Sequence, residues 1–172
     1  MVPMSARPVA ERDPRPPTAT VVSSLLAAGI AALAALVAAP IGGAVVGLAG
    51  AGFVAGAVRR SPRTLSRAAG TGAVGIALAG ALGGATEPLL VSGVALVLAW
   101  DLADHGMSLG EQVGRAGRTR RNAAVHAGAT LFAGALSAGI VYGVYLAAAG
   151  NRPVAALALL LFGAVALASA LT

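Results

Sequence analysis

The sequence predicts an all-α integral membrane bundle of about six transmembrane helices arranged as three hairpins. Composition, run length and the placement of charge each point that way. Hydrophobic residues make up 58% of the 172 and charged residues 10%, whereas soluble domains run at roughly 45–50% and about 25%. Mean hydropathy is +0.85. Uncharged apolar runs recur at lengths that cross a bilayer core of about 30 Å at ~1.5 Å per residue. The twelve basic residues, all arginine, are gathered between those runs. Cysteine is absent, which excludes disulfides, thiolate catalysis and cysteine metal sites. A net charge of +6 with only 3% aromatic residues leaves no base-stacking surface, so nucleic acid is not an expected partner.

Residues 1–17 mix Arg7, Arg12 and Arg15 with Glu11, Asp13 and five prolines. Proline at that density resists helix and nothing apolar is available to pack, so a disordered cytoplasmic tail is expected. The transmembrane helical domain is read as 18–172. Its first span covers Thr18 to Ala39. A signal peptide ending near Val37-Ala38-Ala39 is the competing reading, against which stand the length of the apolar core and the spans that follow. Pro40 breaks the pattern and Ile41 to Val58 forms the second span. Arg59, Arg60, Arg63 and Arg67 make a basic loop around Ser61-Pro62, and a third span runs from about Ala68 to Gly84. Thr86-Glu87-Pro88 has the form of a helix start, with Thr86 as N-cap and proline in the first turn. The fourth span runs from Leu89 to Trp100, whose ring suits a membrane interface. A fifth covers about Ala123 to Ala149, with Tyr142 and Tyr145 toward its outer end. Gly150-Asn151-Arg152-Pro153 turns the chain into a sixth, Val154 to Leu171.

Arginine placement orients the bundle. With the N-terminus inside, the cytoplasmic segments hold Arg7, Arg12 and Arg15, then Arg59 to Arg67, then Arg115 to Arg121, while the external turns hold Arg152 alone. This positive-inside bias places the protein in the cell membrane with both termini cytoplasmic. Glycine pairs four residues apart, Gly43/Gly47, Gly52/Gly56, Gly80/Gly84 and Gly139/Gly143, put small residues on one helix face. They allow close packing within the bundle or, alternatively, a homo-oligomer face.

The polar content concentrates in Ala99 to His126, which holds both histidines, three of the six acidic residues and four of the arginines. The fourth helix is expected to end at His105, capped by Gly106. Ser108-x-x-Glu111 matches a capping box and would start a new amphipathic helix at the interface. The segment 101–122 is thus read as a cytoplasmic interfacial corner. Asp101 and Asp104 sit in a last helical turn, where the dipole disfavours anions, so Arg115, Arg118, Arg120 and Arg121 are the expected compensating charges. The corner is either an ion-paired turn or a docking surface made by Asp101, Asp104, Glu111, Arg115 and Arg118. His126 falls within a span, where a titratable group is costly unless paired. Asp101 and His105 share a helix face, but no metal-ligand signature accompanies them, and neither metal nor cofactor is expected. No nucleophile-plus-base set or phosphate-binding loop appears, so the chain is not read as an enzyme.

The segments VLAWD (97–101), LGEQVGR (109–115), TRR (119–121), VHA (125–127) and YGVYLAAAGNRPVAALALLL (142–161) resemble a family of uncharacterised integral membrane proteins from haloarchaea. The likeness covers roughly Pro88 to Thr172. An acidic residue often stands shortly before the VHA in that family, where this chain has Asn122 and Ala123. Genes of that family commonly neighbour those for a MoxR-type AAA ATPase and von Willebrand-like proteins. The resemblance therefore implies a subunit or anchor in a membrane-associated complex. The functional expectation is a non-enzymatic membrane protein that docks a partner through 101–122, with a small transporter or channel as the alternative. The first needs the corner's charges to face cytoplasm; the second needs His126 to face a hydrated cavity.

Overall fold

A computed structural model describes residues 16–113 and 120–148, apart from the side chains of 111–113, 120, 147 and 148. Among these residues the chain is helical, without strands: α1 (Thr18–Ala38), α2 (Pro40–Arg59), α3 (Pro62–Ala81), α4 (Thr86–Val113) and α5 (Arg120–Ala148). The chain divides into two compact units, Met1–Gly134 and Ala135–Thr172. Among the described residues four helical stretches are long and apolar enough to cross a membrane, in α1, α2, α4 and α5. The tail up to residue 15 and the expected sixth span, 154–171, lie outside the described residues.

Short links force reversals. Ala39 alone joins α1 to α2, in extended conformation, and Pro40 occupies the first turn of α2, where its missing N–H forfeits no bond. Arg60 ends α2 in the left-handed region at φ 51°, and the Ser61 N–H reaches back to the Gly56 carbonyl at 3.0 Å. The same six-to-one closure ends α3, with Gly83 at φ 79° and the Gly84 N–H on the Ala79 carbonyl at 2.9 Å. Both are Schellman-type ends that satisfy carbonyls a helix would otherwise orphan.

The first unit builds a four-helix bundle in which α1 packs on α2 and α4, and α3 on α2 and α4. The core is small-residue packing: Ala27, Ala28, Ala31 and Ala35 of α1 meet Ala95, Leu96 and Ala99 of α4, with Val46, Phe53, Leu65 and Ala68 filling the α2–α3 side. Larger apolar side chains such as Leu26, Leu33, Leu48, Val97 and Phe132 point outward. That inversion, alanine and glycine within and leucine and valine without, suits a lipid-facing bundle held by close backbone contact. Two buried hydroxyls tie α4 to α1. Ser24 Oγ donates to the Ala99 carbonyl at 2.7 Å, and Ser92 Oγ donates to the Ala31 carbonyl at 2.8 Å. Later residues of α1 pair with earlier residues of α4, so the two helices run antiparallel.

The structure departs from the sequence expectation in three places. Arg63 and Arg67 belong to the first two turns of α3 rather than to a loop. Ser61 caps that helix, its Oγ accepting from the Thr64 N–H at 3.3 Å, with Pro62 at the first position. Residues 68–81 leave α3 only about 21 Å of apolar length, and it does not join the helices able to span by themselves. Second, α4 does not stop at His105. Gly106 is buried in mid-helix, where a Cβ would stand 2.5 Å from Thr20 Oγ1, so its smallness serves the approach of α1 rather than a cap. Third, Ser108 opens no capping box. Its hydroxyl bonds back to the Asp104 carbonyl at 3.2 Å, and the helix runs on to Val113.

The start of α1, the end of α2, the start of α3 and the far part of α4 converge at one end of the bundle. Pro16, Thr20, Ala57, Leu65 and Met107 line a common small void there. In the second unit, described over 135–148, the rings of Tyr142 and Tyr145 stack with centroids 6.2 Å apart.

Candidate functional site

Within the first unit, α5 meets α4 through polar side chains. Asp101 and His105 stand one turn apart on α4, and His126 and Thr130 one turn apart on α5, so each pair shares a face of its helix. Thr130 Oγ1 donates to Asp101 Oδ2 at 2.7 Å, and His126 Nε2 lies 2.8 Å from the same oxygen. The nitrogen is at ion-pair distance, yet the ring does not direct it in line with the carboxylate, and it makes no regular hydrogen bond. The His105 ring stacks on that of His126, centroids 3.9 Å apart and planes 15° from parallel. Its Nε2 is also shielded from solvent and unbonded. Asp101 and His126 retain 27% and 34% side-chain exposure, so the cluster lies half-buried on the flank of the bundle.

Little else anchors this part of α5. None of its apolar window is buried, and among its described side chains Ala123 alone falls within the core. One close backbone approach assists: a Cβ on Gly134 would stand 3.2 Å from Val94 Cγ1. Beside the cluster a groove of about 420 Å³ opens between α1, α4 and α5, bordered by Thr18, Thr20, Ser23, Leu102 and Ala123. Leu102 follows Asp101 in the chain and Ala123 stands one turn before His126.

Of the residues singled out in the sequence, Asp101 and His126 are brought together, and His105 joins them. Asp104 is exposed one turn nearer the end of α4 and stays apart. Glu111 lies in α4 with its side chain outside the described residues, as are Arg115 and Arg118. The partners expected for Asp101 were arginines; among the described residues it is held by His126 and Thr130. Sequence reasoning missed Thr130 altogether. Its signal was the fourfold spacing from His126, matching that of His105 from Asp101. Among the described residues no group of three histidine or acidic side chains could hold a metal ion.

Described residues that are helical without strands, with four helices among them able to span a bilayer and an ionisable cluster on one helix contact, have the character of a multi-pass helical membrane protein. The chain belongs to DUF7519, a family of unknown function whose model matches residues 14–168. No curated protein and no solved structure matches it.

Proposed function

We propose that this chain is a non-enzymatic subunit or anchor of the cell membrane that docks a partner at its cytoplasmic, arginine-rich end through the 101–122 segment. The observation that carries this reading is the length of α4. Its 28 residues reach about 42 Å, well beyond a hydrocarbon core of about 30 Å. With Glu87 at the outer boundary, the surplus emerges at the end where Arg59, Arg60, Arg63, Arg67 and Arg121 gather. It presents the exposed Asp104 and Ser108, with Glu111, Arg115 and Arg118 following in the chain. Asp101, engaged by His126, supports that surface from behind by fixing α4 against α5. Both termini are cytoplasmic in this reading. The test is affinity purification of tagged protein from native membranes, comparing wild type with Asp104→Ala/Glu111→Ala/Arg115→Ala/Arg118→Ala. Loss of a stable partner in a folded variant supports docking; a protein that purifies alone in both forms contradicts it.

The alternative, a small transporter or channel, is favoured by the polar cluster beside the groove, since ionisable groups within spans commonly mark solute or proton paths. It requires that flux into liposomes fall in His126→Gln. A homo-oligomer through α5 is supported by Gly139 and Gly143, where an added Cβ would meet nothing within 4 Å.

A further inference from the structure

We propose that the groove between α1, α4 and α5 binds one anionic phospholipid, with Arg121 at its mouth taking the phosphate. The site is separate from the docking surface proposed at the end of α4 and needs only that the spans lie in a bilayer. Three observations carry it. The groove holds about 420 Å³ and is bordered by Thr18, Val22 and Ser23 of α1, Leu102 of α4, and Ala123 and Ala124 of α5. It lies at the level where two spans begin, Thr18–Ala38 and Arg121–Leu146, which is where lipid headgroups meet the hydrocarbon core. Arg121 is exposed and stands three residues before Ala124, on the same face of α5.

Volume and charge decide the occupant. A protein helix about 10 Å across with a pitch of about 5.4 Å fills that volume with a single turn, so a further span does not fit along the groove. A lipid does. The first methylenes of one acyl chain lie against Val22, Leu102 and Ala123, and the Ser23 hydroxyl, about 7 Å into α1, stands at the depth of the ester groups. Side chains of a helix lean toward its N-terminus, so the Arg121 guanidinium reaches out to the headgroup level. There it can take a phosphate through two parallel hydrogen bonds. Neither α1 nor α5 carries an acid in its first turn to compete for that arginine. On α4, Asp101 is engaged by Thr130, and Asp104, two residues beyond Leu102, lies on another side of the helix. The charge at the mouth thus favours an anionic lipid over a zwitterionic one.

Native mass spectrometry of the full chain, released from detergent micelles after titration with phosphatidylglycerol or phosphatidylcholine, counts the lipids bound. The first phosphatidylglycerol is expected to bind about fivefold more tightly than phosphatidylcholine, the factor that one arginine near a membrane surface supplies. Arg121→Gln should abolish that preference. Ala124→Phe, at an exposed position, fills the groove and should remove the first-bound lipid of either kind. Arg63→Gln/Arg67→Gln, which neutralises two exposed arginines of α3, should leave binding unchanged. The proposal is overturned by a wild type without the preference, by an Ala124→Phe protein that binds as wild type does, or by a loss in Arg63→Gln/Arg67→Gln equal to that in Arg121→Gln. A dimer that Ala124→Phe dissociates overturns it too, by giving the groove to a second copy of the chain.

Discussion

Gly42 of α2 and Gly75 of α3 touch backbone to backbone: a Cβ on Gly42 would stand 2.6 Å from the Gly75 carbonyl oxygen, and one on Gly75 would stand 3.0 Å from that of Gly42. Ala79 Cβ closes the same contact at 2.5 Å. Because the obstructing atoms are backbone, Gly42→Ala cannot be absorbed by a rotamer change and must part the two helices. It is expected to cost about 2–3 kcal/mol of unfolding free energy in detergent micelles. Gly47, on the same helix with nothing within 4 Å, is the control. Gly47→Ala should be neutral or stabilising by up to about 1 kcal/mol through helix propensity. Equal effects of the two would rule out the close contact.

Gly83 is required for its dihedral rather than for space. It sits at φ 79° with no atom within 4 Å of an added Cβ, so Gly83→Ala meets no clash. Its expected cost is about 1 kcal/mol, the penalty for a side chain in the left-handed region. Arg60 already bears that penalty at the end of α2, and Arg60→Gly should stabilise by a similar amount. Thermal unfolding of both variants reads the two opposite signs.

Ser92 is fully buried, and its hydroxyl bonds a carbonyl of α1 at 2.8 Å. Ser92→Ala loses that bond and leaves a carbonyl that still accepts within α1, so about 0.5–1 kcal/mol is expected, as for other interhelical bonds in membranes. Ser92→Leu adds volume against Ala31 and should cost more, about 2–3 kcal/mol. Unfolding by SDS titration distinguishes the two; a harmless leucine would show that α1 and α4 do not pack as described.

The apolar runs, the break at Pro40 and the helix start at Thr86 were legible because each is a local signal whose physics is complete within a few residues. The continuity of α4 was not. Gly106 and Ser108-x-x-Glu111 resemble an end and a beginning, but Gly106 answers to Thr20, some 86 positions away, and no window around it contains that fact. Arg63 and Arg67 misled in the other direction, since charge suggested a loop where Ser61-Pro62 in fact caps a helix. The cost of an unpaired His126 was readable from the sequence. Its partner was not, because nothing local joins residue 126 to residue 101 until α5 is laid on α4.

The polar contact of α5 with α4 centres on the carboxylate of Asp101, whose Oδ2 accepts from Thr130 Oγ1 and lies 2.8 Å from His126 Nε2, and we expect it to contribute to the attachment of α5 beside the close approach of Gly134 to Val94. A double-mutant cycle on Asp101→Asn and His126→Gln measures this directly, from unfolding free energies of the four proteins in the same micelles near pH 6. A coupling of about 1–2 kcal/mol is predicted for a half-buried pair at this separation. Additivity of the two substitutions within about 0.5 kcal/mol would contradict it and leave the attachment of α5 to other contacts.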